Sequence, residues 1–158
     1  MAAGSTVYFL WNYAVSSGST TSNAQLLGVD DVTIAAAGAA SGSPTFVLSN
    51  QTNLTYGNVC TGTTSSNIGS FKIKGSDLGT ADVTVSSNAA YTFSTTSGGT
   101  YSNPLNLGNV SCTGTDCYSQ DIFVKFTPSA VASYNTDITV AGGGATSVTT
   151  AVTGAGVN

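Results

Sequence analysis

The sequence predicts an all-β chain, an antiparallel β-sandwich of about seven strands preceded by an extended N-terminal strand arm. Two observations carry that expectation. From Pro44 onward, short stretches of alternating apolar and polar residues recur between clusters of Gly, Ser, Thr and Asn, with no useful length of helical period. Before Pro44, two apolar segments sit between runs of small residues, so residues 1–43 read as an extension and 44–158 as the domain.

The first segment, Thr6 to Val15, alternates strictly. Val7, Phe9, Trp11, Tyr13 and Val15 share one face of an extended strand, and Tyr8, Leu10, Asn12 and Ala14 share the other. Both faces are largely apolar, and burying such side chains is worth about 1.5–3 kcal/mol each, so something must cover this strand. The run SSGSTTSN follows with linker composition, then a second extended segment at 26–36, then the small-residue joint 37–44.

Within the domain, Thr45 to Ser49 opens the set, with a continuation through Leu54 and Tyr56 after a break. GNVCTGTTSSN reads as a loop. Ser70 to Lys74 places Phe71 and Ile73 inward and both lysines outward, and Gly75-Ser76-Asp77 turns the chain. Asp82 to Ser86 and Tyr91 to Thr95 alternate again, and Leu105 with Leu107 marks a short strand after Pro104. The stretch from Gly108 to Gln120 reads as a loop, and Asp121 to Thr127 is the clearest strand of the region. Thr136 to Ala141 and Ser147 to Thr153 complete the sandwich.

Composition narrows the function classes. Charged residues are 6% of the 158, against roughly 25% in an ordinary globular protein. Arg, Glu and His are absent, so acid–base pairs and His-dependent triads cannot be assembled, and a Cys nucleophile lacks an imidazole to activate it. Three lysines against seven aspartates leave no basic stripe for a nucleic acid. At ten residues, the run 6–15 is too short to span a bilayer as a helix. A surface built from Ser, Thr, Gly, Asn and Ala suits a secreted, cell-surface protein, and implies a leader cleaved ahead of this numbering.

The order of pieces in the domain resembles the Ig-like repeats of secreted Bacteroidetes surface proteins, over about residues 44–156. Gly75-Ser76-Asp77-Leu78 takes the place of their G-S-N-L turn, and Phe123-Val124-Lys125-Phe126-Thr127-Pro128 that of their V-Y-V-R-F-x-P strand. Tyr134 with Ile138-Thr139-Val140, and Val148 to Gly154, match the last two strands. The resemblance implies an Ig-like antiparallel β-sandwich of about seven strands. Lysine stands where the repeats usually have arginine, and cysteines occupy loops where they usually have none.

Cys60, Cys112 and Cys117 cannot all pair within one chain. Cys112 with Cys117 would staple a single loop, and Cys60 with either would tie two loops at one end of the sandwich. Asp30-Asp31 alone does not supply the six to eight oxygens of a calcium shell and reads as a polar turn. The glycosylation-type triplets at Asn50, Asn53 and Asn109 are expected by chance in a chain this rich in Asn, Ser and Thr. Tyr91, Phe93 and Tyr101 could form a glycan platform, though alternation favours the core; Tyr118 is a further aromatic of that kind.

The functional expectation is a structural subunit of an extracellular, pilus-like filament, a homopolymer with no cofactor, no metal and no catalysis. Its contact would be the strand 6–15, with Val7, Phe9, Trp11, Tyr13 and Val15 filling a neighbouring subunit. The alternative is a monomeric surface adhesin or glycan-binding module in which 6–15 packs in cis.

Overall fold

A computed structural model describes residues 42–158, all within the unit Gly38–Asn158. The expected strand 6–15 with its five interface residues, the segment 26–36 and Asp30-Asp31 lie outside the described residues.

Alternation decides most of the strands. In β3 (Gly69–Ser76) Phe71 and Ile73 are buried while Lys72 and Lys74 face outward. β7 (Tyr118–Phe126) buries Ile122, Val124 and Phe126, β8 (Thr136–Gly142) buries Ile138 and Val140, and β5 (Tyr91–Ser94) buries Tyr91 and Phe93. With β1 (Thr45–Thr52), β2 (Thr55–Cys60), β4 (Val83–Ser86), β6 (Leu105–Gly108) and β9 (Ala145–Val157), the described residues form nine strands and no helix. They make two sheets, β1-β3-β7-β5 and β2-β9-β8-β4-β6.

This is an Ig-like sandwich. The chain alternates between sheets from β3 through β8, and the opening strand is shared: β1 pairs antiparallel with β3 in one sheet, and β2 pairs parallel with β9 in the other. The strand beside β7 precedes the strand beside β4 in the chain, which places β5 ahead of β6.

The expected all-β, Ig-like sandwich is present, with four differences in detail. Nine strands replace about seven, and one pair is parallel rather than antiparallel. The break before Leu54 is a change of sheet, made possible by Asn50 and Asn53, both in the left-handed region that Asn tolerates (φ 51° and 54°). Gly57 to Cys60 is strand, not loop, because Asn58, Val59 and Cys60 pair with Ala155, Gly156 and Val157 on a β9 that runs past Thr153. Likewise Tyr118 to Gln120 belongs to β7, opposite Gly75 to Ile73.

The core fills the space between the sheets. At one end an aromatic cluster joins them: Phe126 lies 4.9 Å from Tyr91, 5.5 Å from Tyr56 and 5.5 Å from Tyr134, centroid to centroid. Gly154 and Gly156 face inward on β9, where a Cβ on Gly154 would stand 2.7 Å from the Phe126 ring. A Cβ on Gly156 would run into the Ala130 carbonyl oxygen.

Candidate functional site

No buried side-chain polar atom is left without a partner among the described residues, and no group of three or more Cys or Asp side chains gathers there to hold a metal. The features able to act are therefore on the surface: two sheet faces, the sheet edges, and the loops that carry cysteines.

All three lysines of the chain stand on the outer face of the β1-β3-β7-β5 sheet. Lys72 pairs with Asp121 and Lys74 with Asp116, each at 2.8 Å, and Lys125 lies 4.2 Å from the centre of the Tyr101 ring. These pairs are exposed enough to contribute only about 0–1 kcal/mol each. The opposite outer face carries only Asp82 and Asp137 as charges, in a field of Thr, Ser, Ala and Asn from Thr84 and Thr139 to Thr149 and Thr153. Two shallow depressions on it are lined by Thr55, Asn58, Asn135, Thr136 and Thr153 with their neighbours.

The aromatic platform does not form as a unit. Tyr91 and Phe93 are fully buried. Tyr101 is held by Lys125 and by its own hydroxyl, which donates to the Ser97 carbonyl at 2.9 Å. Tyr118 packs against the core, and its burial raises its pKa.

Cys112 and Cys117 form a disulfide, and Cys60 is a free, exposed thiol. The bridged loop is strapped to the turn after β3. Gly114 N–H donates to the Asp77 carboxylate at 2.8 Å, Asp116 N–H to the Ser76 hydroxyl at 2.9 Å, and Cys112 N–H to the Leu78 carbonyl at 3.0 Å. Cys60 belongs to the other end, where Gly62 N–H reaches the Pro128 carbonyl just past β7. Nine residues of β7 separate the two ends, about 27 Å at roughly 3.4 Å per step. A bridge from Cys60 to either partner is thus geometrically closed.

Each sheet ends in two strands, β1 and β5 in one and β2 and β6 in the other. β1 is the longest of these at eight residues, with Phe46 buried, Leu48 partly buried against the core and Val47 55% exposed. In the sequence, Val47 is one residue of an ordinary first strand. Its place at a sheet edge is set by β1 and β2 parting company, which no local pattern signals. Asn103 was also missed. Its side-chain amide donates to the carbonyls of Asn88 (2.7 Å), Tyr91 (2.9 Å) and Ser87 (3.0 Å), fixing the β4–β5 turn.

One further relation marks the architecture. The Tyr134 hydroxyl accepts hydrogen bonds from the backbone N–H of Ala130 (2.9 Å) and Ser129 (3.2 Å), just before β8 begins. This is the tyrosine corner of Ig-like sandwiches.

No family model matches this chain, and no curated protein matches its sequence. Among solved structures, the ASH/PapD-like domain 7 of human CEP192 aligns with 85% of this chain and 99% of its own, at 13% identity and a TM-score of 0.33. So slight a likeness adds nothing to the fold assignment, which stands on the strand order and the corner.

Proposed function

We propose that the protein is a structural subunit of an extracellular, pilus-like filament that polymerises by donating residues 6–15 to a neighbouring subunit. One observation carries this reading. Among the described residues, nine strands enclose a core that runs from Phe46 to Val152. The segment 6–15, whose sequence reads as a ten-residue strand apolar on both faces, also needs cover. The tracts of Ser, Thr, Gly and Ala around it give it reach. A strand passed from each copy to the next is a heterologous contact, which repeats without closing.

The near-absence of charge and of acid–base residues fits a scaffold rather than an enzyme, and the Cys112–Cys117 bridge fits an oxidising, extracellular setting. In the full chain, Phe9→Asp with Trp11→Asp should abolish polymerisation while leaving the thermal midpoint of the domain within a few degrees. A loss of folding in that variant would instead assign 6–15 to its own domain, the arrangement of a monomeric adhesin.

A further inference from the structure

On the basis of that strand donation, we propose that the acceptor is the outward edge of β1, occupied by residues 6–15 of a second copy. Three of the four terminal strands are poor templates. β5 already exchanges backbone bonds with Ser102: Phe93 N–H donates to Ser102 O at 2.8 Å, and Ser102 N–H to Phe93 O at 2.9 Å. β6 has four residues and ends at Gly108 (φ 72°), whose N–H is taken by the Asn106 side-chain oxygen at 2.7 Å. β2 is interrupted by a register shift between Thr55 and Asn58, around Gly57 at φ 65°.

β1 differs from all three. Thr45 to Ser49 pair in unbroken register with Ser76 to Lys72, and among the described residues nothing pairs with their other side. Natural edges are protected by lysine, proline, inward charge or an early bulge. Pro44 precedes this stretch and the register shifts only after Ser49, so Thr45 to Ser49 themselves carry none of these, and their centre is Val47.

The same edge answers both apolar faces of the donor. A strand added beside β1 has one face against the margin of the core, next to Phe46 and Leu48. That side receives Val7, Phe9, Trp11, Tyr13 and Val15. The other face lies beside Val47, and receives Tyr8, Leu10, Asn12 and Ala14. The donor carries no charge that burial would strand. Residues 16–44 join the segment to its own β1 and span up to about 100 Å when extended, so reach does not restrict the neighbour.

The test places a charge on the edge. Val47→Lys should reduce the polymerised fraction at least tenfold by sedimentation and electron microscopy, with the circular dichroism and melting of a folded monomer retained. Asn106→Lys, on the β6 edge, should polymerise as the natural chain does. In a Cys60→Ser background, chains carrying Leu10→Cys mixed with chains carrying Val47→Cys should form a disulfide-linked heterodimer on oxidation. Filaments that persist in Val47→Lys overturn the β1 site while leaving strand donation standing. A natural chain that never polymerises overturns both. If one chain carrying both cysteines closes its own bridge and stays monomeric, the edge is filled in cis and the proposal is wrong.

Discussion

The Tyr134 hydroxyl accepts the Ala130 amide hydrogen at 2.9 Å, while the Tyr134 carbonyl accepts the Tyr91 hydroxyl hydrogen at 3.1 Å. One residue thereby ties the β7–β8 corner to β5, the strand that pairs with β7. The Tyr134 N–H completes the tie by donating to Gly154 on β9 at 2.8 Å. Removing the hydroxyl leaves the Ala130 and Ser129 amides without their partner. Tyr134→Phe should lower stability by about 1–2 kcal/mol, read from urea unfolding. An unchanged midpoint would mean that water replaces the corner without loss.

Tyr56 poses the same question in the interior. Its hydroxyl donates to the Val124 carbonyl at 2.7 Å and accepts from the Gly69 amide at 3.2 Å, linking β2 to the other sheet. Tyr56→Phe strands both groups in a dry site, and the expected cost is about 1–3 kcal/mol. Because β2 is the strand that changes sheets, its loss should also raise amide exchange at Asn58 and Val59 before the rest of the domain.

The tyrosines give the domain an alkaline limit. Burial pushes the Tyr91 hydroxyl up to about 12, and burial raises Tyr56 as well, against a Gly69 hydrogen bond that lowers it. Both pKa values are higher in the folded than in the unfolded chain, so the folded form holds its phenolic protons longer. The contribution is therefore complete below about pH 10, the unfolded value, and is lost as pH rises through about 12. Absorbance at 295 nm should show these tyrosines ionising together with unfolding. Seven tyrosines titrating near 10 with the fold intact would contradict this.

Glycines on β9 make a steric prediction. Gly156→Ala would drive a methyl into the Ala130 carbonyl and to 2.9 Å from the Pro128 side chain, where backbone must shift. A cost of about 1–3 kcal/mol or more is expected in thermal unfolding. Gly98→Ala, which meets nothing within 4 Å, should be close to neutral.

The cysteines can be counted directly. One thiol per chain, Cys60, should react with a thiol reagent in the native protein without prior reduction. The Cys112–Cys117 loop is short, so the paired substitution Cys112→Ser with Cys117→Ser should cost only about 2 kcal/mol.

Much of this fold was legible in the sequence because inward and outward positions differ chemically. Phe71 and Ile73 between Lys72 and Lys74, or Ile122, Val124 and Phe126 in β7, state their own orientation. The second half of β9 does not. Ala155 to Val157 lies past the stretch that alternation and the resemblance mark as strand, yet it forms strand because Gly154 and Gly156 let it lie against Phe126 and the Ala130 loop. The second half of β2, Asn58 to Cys60, was hidden for the same reason, since its partner is that unpatterned stretch. The cysteine pairing was undecidable in one dimension, because only the course of β7 puts Cys60 at the far end. The candidate acceptor was hidden too: an edge is a property of sheet order, and TFVLS looks the same at an edge or in the middle.

Electron microscopy of the purified, full-length chain under oxidising conditions tests strand donation most directly. Strand donation predicts regular filaments one domain wide, in which Trp11 fluorescence is blue-shifted and shielded from quenchers. A monodisperse monomer at the same concentration, with Trp11 equally shielded, would contradict it.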